Sequence, residues 1–252
     1  MMLLVTRPAA QAAEWVDGLR ALGVQAVELP LLAIGAPADP GPVVRAWQGL
    51  AAVALVVFVS PNAVLRFHAL RPSGCPWPVD TLAASTGPGT SRELLRAGLR
   101  PTQLVEPDAA HGQFDSEALW ARLESHDWRG RRVLIVRGDG GRDWLSDHLR
   151  SRGAEVVQVS AYRRSTPQWT APQRDAFATA LRSPGQHVWL FSSSEAIDQL
   201  STLAPGTDWR HGRAIATHPR IAVRAQLLGF EWLEQALPSI ECVAACLQST
   251  AQ

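Results

Sequence analysis

The chain has 252 residues, 24 basic and 23 acidic side chains, a formal net charge of +1 at pH 7 and 46% hydrophobic residues. It exceeds the usual single-domain size, so one large or two moderate domains are expected, and the charge balance argues against nucleic acid as the main partner. All 24 Lys/Arg positions are arginine, and the lack of lysine excludes Schiff-base chemistry, lysine-bound pyridoxal phosphate and a P-loop NTPase.

In chain order, "MMLLVTRPAA" lacks a basic leader ahead of an apolar core and a cleavage site, so no export signal is read and a cytosolic location is expected. Leu3 to Thr6 form a short apolar strand. Trp15, Val16, Leu19 and Leu22 then recur at helical spacing up to Gly23, a residue suited to a left-handed helix C-cap. The segment "GAPADPGP", Gly35 to Pro42, reads as an inter-domain crossing. "LAAVALVVFV", Leu50 to Val59, is too short to span a bilayer and carries a strand near Val53 to Val59. After it, "VSPNAV" offers Ser60 as cap and Pro61 at the first helical position.

Further strands are expected at Leu82 to Ser85 and Gln103 to Val105, separated by the turn "TGPGTS". In "QFDSEALWARL", Asp115 and Glu117 read as first-turn carboxylates of a helix capped by Asp115 or Ser116, not as an acid–base pair. Arg132 to Val136 is the next strand, leading into "RGDGGRD". That loop has the wrong glycine spacing for a dinucleotide fingerprint, and no Gly-Lys-Ser/Thr occurs. A strand at Val156 to Ser160 runs into "RRSTPQWTAP", Arg163 to Pro172, the second candidate crossing. Tyr162, the one tyrosine of the chain, is thereby placed at a hinge. Strands at Val188 to Phe191, Ala214 to Ala216 and Glu231 to Leu233 follow, with the turns "FSSSEA" and "ATHPRI" between them.

Three segment pairs repeat at an offset close to 130 residues: "LLVTRPAAQAAEWVDGLRALGVQAVEL" with "VLIVRGDGGRDWLSDHLRSRGAEVVQV", "VVFVSPNAVLRF" with "WLFSSSEAIDQL", and "ASTGPGTSRELLRAGL" with "IATHPRIAVRAQLLGF". Apolar strands alternating with amphipathic helices call for parallel sheets covered on both faces, so the expected fold is α/β, two doubly wound parallel-sheet domains from an internal duplication.

In such sheets ligands bind beyond the carboxyl ends of the strands, where helix N-termini present free N–H groups. Each of the turns "VSPNAV", "TGPGTS", "RGDGGRD", "FSSSEA" and "ATHPRI" is by itself a routine helix start; five of them point to a site for many anionic groups. Arg7, Arg137 and Arg142 at strand ends and Arg163 and Arg164 at the hinge are placed for carboxylate or phosphate contacts. His68, His111, His126, His148, His187 and His211 are isolated and read as surface or satisfied side chains, whereas His218 occupies a ligand-facing turn. Cys75, Cys242 and Cys246 read as small buried apolar residues. No metal site is expected, since no Cys-x-x-Cys pair or nearby histidine accompanies them.

The ordered set "VTRP", "FVSPNAV", "GPGTSREL", "FDSEALW", "VLIVRGDGGRDWLSDHLRSRGAEVVQVSAYRR" and "WLFSSSEAI" resembles the uroporphyrinogen-III synthase family along nearly the whole chain. The resemblance implies two Rossmann-like or flavodoxin-like domains joined by a two-stranded β-ladder, with a cleft between them as active site. One domain would comprise residues 1–33 plus 166–252, the other 35–158, with crossings near 30–42 and 158–172. The implied reaction is cyclodehydration of hydroxymethylbilane, a linear carboxylate-rich tetrapyrrole, to uroporphyrinogen III with inversion of ring D through a spiro intermediate. No cofactor, metal, nucleic acid or membrane is called for. A monomer is expected, with a transient contact to hydroxymethylbilane synthase as the one macromolecular partner.

By the same resemblance Tyr162 is the catalytic candidate. A phenol with an ordinary pKa of about 10 stays protonated at neutral pH and can donate to the departing hydroxyl. The alternative is that Tyr162 ends a strand with its ring packed on the ladder. Arg7, Ser60, Asn62, Gly87, Thr90, Arg137, Gly138, Ser192, Ser193 and Thr217 are the implied substrate-binding residues. The chain departs from the family at "THPRIA", where a glycine and a later threonine are missing. Either His218 or Arg220 takes a carboxylate there, or the contact is absent. A non-catalytic two-lobe module that binds a tetrapyrrole or another polyanion is the competing reading; it shares the arginines but has no use for Tyr162.

Overall fold

The computed structural model describes residues 1–108 and 113–249; His111 lies outside the described residues. The chain divides into two compact units, Met1–Ala33 with Ser165–Gln252 and Ile34–Arg164. It opens with β1 (Met2–Val5), α1 (Ala9–Ala21) and β2 (Ala26–Glu28). The contiguous unit follows as β3 (Ala33–Gly35), α2 (Gly41–Gln48), β4 (Leu55–Phe58), α3 (Pro61–Ala69), β5 (Leu82–Ser85), α4 (Pro88–Arg96), β6 (Leu104–Val105), α5 (Ser116–Leu123), β7 (Arg132–Gly138), α6 (Trp144–Ser151) and β8 (Glu155–Ser165). The first unit is completed by α7 (Ala171–Arg182), β9 (His187–Phe191), α8 (Ser194–Leu203), β10 (Arg213–Ala216), α9 (Pro219–Leu228), β11 (Trp232–Gln235) and α10 (Ile240–Ser249).

The discontinuous unit is built on a five-stranded sheet in the order β11-β10-β9-β1-β2, with parallel pairing at every step. The contiguous unit has a six-stranded sheet in the order β3-β8-β7-β4-β5-β6, parallel from β8 to β6. Helices cover both faces of each sheet, so the central strands are apolar at every position. In β4, Val56 and Phe58 enter a core with Val64, Phe67 and Leu94, while Leu55 and Val57 enter a second core with Leu119, Leu149 and Trp128. In β1 and β9, Leu4, Trp189 and Phe191 face one core and Leu3, Val5, Val188 and Leu190 the other.

Strand order reverses direction at one place in each sheet. In the contiguous unit β4 leads to β5 and β6 on one side and the chain then returns to β7 on the other, so the switch point lies between β4 and β7. Between β9 and β1 the discontinuous unit has the corresponding reversal. Ligands of open α/β sheets bind at such points, where the loops leaving adjacent strands part in opposite directions.

Several boundaries differ from the sequence reading. The strand expected to stop at Ser160 continues to Ser165, so Tyr162 is a strand residue, and the contiguous unit runs to Arg164. Polar side chains at 160, 163, 164 and 165 suggested a loop, but hydrogen bonding to β7 and to the 138–143 loop holds the backbone extended. Leu22, expected on the apolar face of α1, is the C-cap and 43% exposed, while Gly23 does adopt the left-handed conformation at φ 78°. The three cysteines are half-buried and not core residues. Burial and the nearby Glu234 carboxylate push the Cys246 thiol above its ordinary pKa.

His68 packs in an aromatic cluster with Trp47, Phe58, Phe67 and Trp77. Its Nδ1–H donates to the Val64 carbonyl at 3.0 Å. Burial holds its pKa below the ordinary value of 6.5, with the nearby Arg71 cation acting in the same direction and the Val64 bond opposing it. A depressed histidine pKa contributes stability that is present above about 6.5 and is lost as pH falls through the folded value. Urea midpoints are therefore expected to fall between pH 7 and pH 5, and the drop should shrink in His68→Phe; an unchanged slope in that variant would assign the acid sensitivity elsewhere.

Candidate active site

The two sides of the switch point in the contiguous unit are occupied by Ser60, two residues after β4, and Gly138, the last residue of β7. Ser60 is the N-cap of α3: its Oγ accepts the Ala63 N–H at 3.2 Å, and Pro61 fills the first helical position. Asn62, in the first turn, is buried. At the end of β5, Gly87 caps α4 with Pro88 next, and Thr90 is buried within the first turn. A Cβ on Gly87 would lie 3.1 Å from Cβ of Phe114, so this turn has little room for a side chain.

Tyr162 reaches this point from β8, two strands away from β4. The pairing of β7 with β8 runs Arg137 with Ser160 and then Gly138 with Tyr162, so Ala161 is an extra residue, a β-bulge. Regular alternation would turn Tyr162 away from the face on which Val159 and Ala161 are buried. The bulge instead puts Ala161 and Tyr162 into the same core in succession. The phenol ring then crosses Gly138, where a Cβ would sit 2.6 Å from Cε2 and 2.8 Å from Cζ of Tyr162. Glycine here is required by close approach.

Beyond Gly138 the phenol oxygen lies 3.0 Å from Ser60 Oγ. It also accepts a hydrogen bond from the Arg164 guanidinium at 3.1 Å, and that guanidinium stands 5.0 Å over the Tyr162 ring. Arg164 is fixed in turn by Asp139, whose carboxylate accepts the Arg164 backbone N–H and whose carbonyl accepts a guanidinium N–H, both at 3.0 Å. The Tyr162 carbonyl accepts from Asp139 N–H at 3.0 Å and from Ser160 Oγ at 3.2 Å, which pins the bulge from both strands. Tyr162 itself is 1% exposed. The ring is packed in the core while the hydroxyl is in hydrogen-bond contact with Ser60 and Arg164.

The loop "RGDGGRD" is closed on itself. Arg137 pairs with Asp143 at 2.6 Å, donates to the Gly140 carbonyl at 3.0 Å and to Gln158 at 3.0 Å. Hydrogen bonding from Arg137 and then Gln158 holds the Asp143 carboxyl below its ordinary pKa. Gly141, at φ 114°, lies so close that a Cβ would be 2.6 Å from an Arg137 nitrogen. Arg142 makes a two-pronged pair with Glu117 of α5, at 2.7 and 3.1 Å, and the Glu117 contact raises the arginine's pKa. Arg137 and Arg142 are thus engaged within the loop and with α5. Arg163 is exposed, its side chain passing close to Gly35.

The discontinuous unit has its own strand-end turns and helix starts. Arg7, two residues after β1, stacks on Trp15 at 4.0 Å and donates to Gln11 at 3.2 Å. Ser193 caps α8, accepting the Glu195 N–H at 3.2 Å, and the neighbouring Ser192 Oγ is buried with no hydrogen-bond partner among the described residues. After β10, Thr217 N–H donates to the Phe191 carbonyl at 3.0 Å. His218 is the N-cap of α9, its Nδ1 accepting the Arg220 N–H at 3.1 Å, so the ring proton of the neutral form sits on Nε2. The imidazole thereby takes the capping place that serine holds in α3 and α8. Arg220 follows on the exposed side.

Gly138, Asp139 and Arg164 form the support of Tyr162, and of these the sequence reading singled out Gly138 and placed Arg164 without linking it to the phenol. Asp139 was legible only as one charge in a loop. Ser91 was likewise unmarked; its Oγ meets Ser85 Oγ at 2.6 Å and Glu106 at 2.5 Å, tying the carboxyl ends of β5 and β6 to α4. Among the described residues, no three of His, Cys, Asp and Glu stand together as a metal-ligand set, and no helix is long and apolar enough to cross a membrane.

Comparison with known proteins identifies the lineage. The family described as uroporphyrinogen-III synthase HemD matches residues 13–241. The uroporphyrinogen-III synthase of Synechococcus elongatus is 31% identical over 241 residues, covering 90% of this chain and 86% of that protein. Its Salmonella typhimurium counterpart is 29% identical over 237 residues, covering 92% and 93%. Among solved structures, a mutant uroporphyrinogen III synthase from the extremely thermophilic bacterium Thermus thermophilus superposes with a TM-score of 0.64 at 16% identity, over 100% of this chain and 97% of that one. The Helicobacter pylori enzyme gives 0.58 at 15% identity, over 100% and 99%. These structural likenesses carry the fold, and the sequence match over most of the chain carries the family: the chain belongs to the uroporphyrinogen-III synthases, the cyclising lyases that act on hydroxymethylbilane.

Proposed function

We propose that this chain converts hydroxymethylbilane to uroporphyrinogen III by cyclodehydration with inversion of ring D, and that the Tyr162 phenol is the acid from which the proton needed for loss of the terminal hydroxyl is drawn. The observation that carries this reading is the placement of the chain's one phenol at a topological switch point, in hydrogen-bond contact with Ser60 and with an arginine. Its oxygen accepts from a cation, which favours negative charge there as the proton leaves. The electrophilic azafulvene so formed is attacked by the substituted carbon of ring D to give the spiro intermediate, and fragmentation with reclosure inverts the ring. Unassisted closure gives the symmetric type I isomer, so the larger task is to hold a flexible polyanion in the fold that closes the other way.

In the contiguous unit, substrate carboxylates are assigned to Asn62, Gly87 and Thr90 at the helix starts; in the discontinuous unit, Arg7, Ser192, Ser193, Thr217, His218 and Arg220 are the candidate carboxylate contacts. Free N–H groups at helix N-termini suit carboxylates without a metal. Correspondence of strand order, β11-β10-β9-β1-β2 against β6-β5-β4-β7-β8, supports descent of the two units from one duplicated pattern. The units are proposed as domains linked through the β3 and β8 segments. An unstable substrate favours direct handover from hydroxymethylbilane synthase.

The test supplies purified protein with hydroxymethylbilane generated in place from porphobilinogen, followed by oxidation and separation of the uroporphyrin isomers. A large type III excess is expected, with the rate falling about tenfold in Tyr162→Phe, the modest loss fitting a hydroxyl that also departs unaided. Type I alone, formed at the rate of a blank, would remove the synthase reading and leave a binding module.

A further inference from the structure

We infer that Ser60, and not Tyr162, is the group that hands its proton to the substrate, with Tyr162 recharging it and Arg164 fixing the direction of transfer. This rests on the proposed function and specifies the chemistry of the same site. The first ground is burial: Tyr162 is 1% exposed, its ring packed in the core with Val159, Ala161 and Phe58, whereas Ser60 is only half-buried at the mouth of the switch point. A tetrapyrrole meets the serine hydroxyl before it can meet the phenol.

The second ground is the arrangement of donors and acceptors. A guanidinium can only donate, so at the 3.1 Å contact with Arg164 the phenol oxygen accepts. Ser60 Oγ accepts from the Ala63 N–H, as a capping oxygen must. Of the two hydroxyls 3.0 Å apart, the phenol is the stronger acid and therefore the better donor to the serine oxygen. With Tyr162 donating, both acceptor positions of Ser60 Oγ are filled, and its own proton is directed away from Ala63 and from Tyr162. The order Arg164, Tyr162, Ser60 is a relay with one open end.

The carbon–oxygen bond of the hydroxymethyl group breaks and its electron pair leaves with oxygen, which takes the Ser60 proton and departs as water. Ser60 Oγ takes the Tyr162 proton, and the resulting phenolate is held by the Arg164 guanidinium. When ring D recloses, the proton lost from its free α-carbon returns through Ser60 to Tyr162, so the protein ends as it began. Arg164 is a positioning residue in this scheme, and Asp139, which holds Arg164 through both backbone and side chain, supports it.

Single-turnover rates, steady-state kcat and KM on preformed hydroxymethylbilane, and rates in H2O/D2O mixtures decide the matter. Ser60→Asn keeps an oxygen for the Ala63 N–H but has no hydroxyl to relay. It is expected to lower kcat about tenfold, as Tyr162→Phe does, with KM little changed. The double variant should be no slower than either single, because both remove one device. Ser60→Thr should retain activity within about twofold, and Arg164→Met should lower kcat with KM unchanged while Arg164→Lys recovers part of the loss. The wild-type rate should depend on deuterium fraction as a curve, from two protons in flight, and become linear in Ser60→Asn.

A linear wild-type dependence, multiplying losses in the double variant, or full kcat in Ser60→Asn beside a defective Tyr162→Phe would each overturn the relay while leaving the synthase standing. A rise in KM as the main effect of Arg164→Met would make that residue a carboxylate contact and overturn its role in the relay. Absence of a type III excess in the wild type would overturn the proposed function and the relay together.

Discussion

Gly138→Ala is expected to lower the rate of type III formation about 100-fold, more than removal of the phenol oxygen itself. The added Cβ would sit 2.6 Å from Cε2 and 2.8 Å from Cζ of Tyr162, and 2.9 Å from an Arg164 nitrogen. None of these neighbours can yield freely. The tyrosine ring is enclosed in the core, its backbone is pinned by Asp139 and Ser160, and Arg164 is tied to Asp139. Either the ring moves, breaking alignment with Ser60, or β7 moves and takes the switch point with it. Overpacking of this kind also costs stability, on the order of 1–3 kcal/mol. The measurement is kcat and isomer ratio beside the thermal midpoint. A destabilised but fully active variant would show that the phenol does not need its present place.

Trp47→Ala carries the largest expected stability loss, about 3–5 kcal/mol. Trp47, on α2, is 2% exposed, stacks on Phe67 at 4.6 Å and meets His68 and Trp77 edge-on at 5.3 and 6.0 Å. Its indole N–H donates to the Phe67 carbonyl at 2.8 Å, near the end of α3, where the Leu70 N–H also reaches that oxygen at a longer 3.3 Å. Truncation therefore opens a cavity and removes the shorter of that carbonyl's two hydrogen bonds. Urea unfolding should show the loss in the transition of the contiguous unit, since every one of these contacts lies within it. Trp47→Phe, which fills most of the volume without the N–H, should lose less than half as much. Equal losses from both variants would mean that the hydrogen bond, and not the packing, dominates.

The central strands and helix starts were legible because they depend on local chemistry. Continuous apolar runs such as "LVVF" and "HVWLF", short and rich in β-branched or aromatic residues, read as strands buried on both faces. Ser60 declares its capping by its place before Pro61, and Asp115 caps α5 through the Ala118 N–H at 2.8 Å, one of the two candidates there. The support of Tyr162 was not legible, and the reason is register. A bulge is one unpaired residue in a ladder between segments far apart in sequence, and nothing in "VSAYRR" marks Ala161 as the surplus one. Once the register slips, a side chain expected beside a hinge becomes a core residue, and Gly138 becomes the floor beneath it. The partners of Arg137 and Arg142 were hidden for a related cause. An arginine at a strand end looks like a ligand contact until the fold shows which carboxylate lies within reach, here Asp143 and Glu117.

The pairing of β1 with β9 has a consequence for how the protein is made. β1 comprises residues 2–5 and its central neighbour residues 187–191, so β1 leaves the ribosome long before the strand that sits between it and β10. The intervening unit, Ile34–Arg164, is contiguous and holds the strands of its own sheet from β4 to β8. Domains form as units during synthesis. The contiguous unit is therefore complete before the discontinuous one, and it brings Ser60, Gly138, Tyr162 and Arg164 together while β1 and β2 still lack β9, β10 and β11.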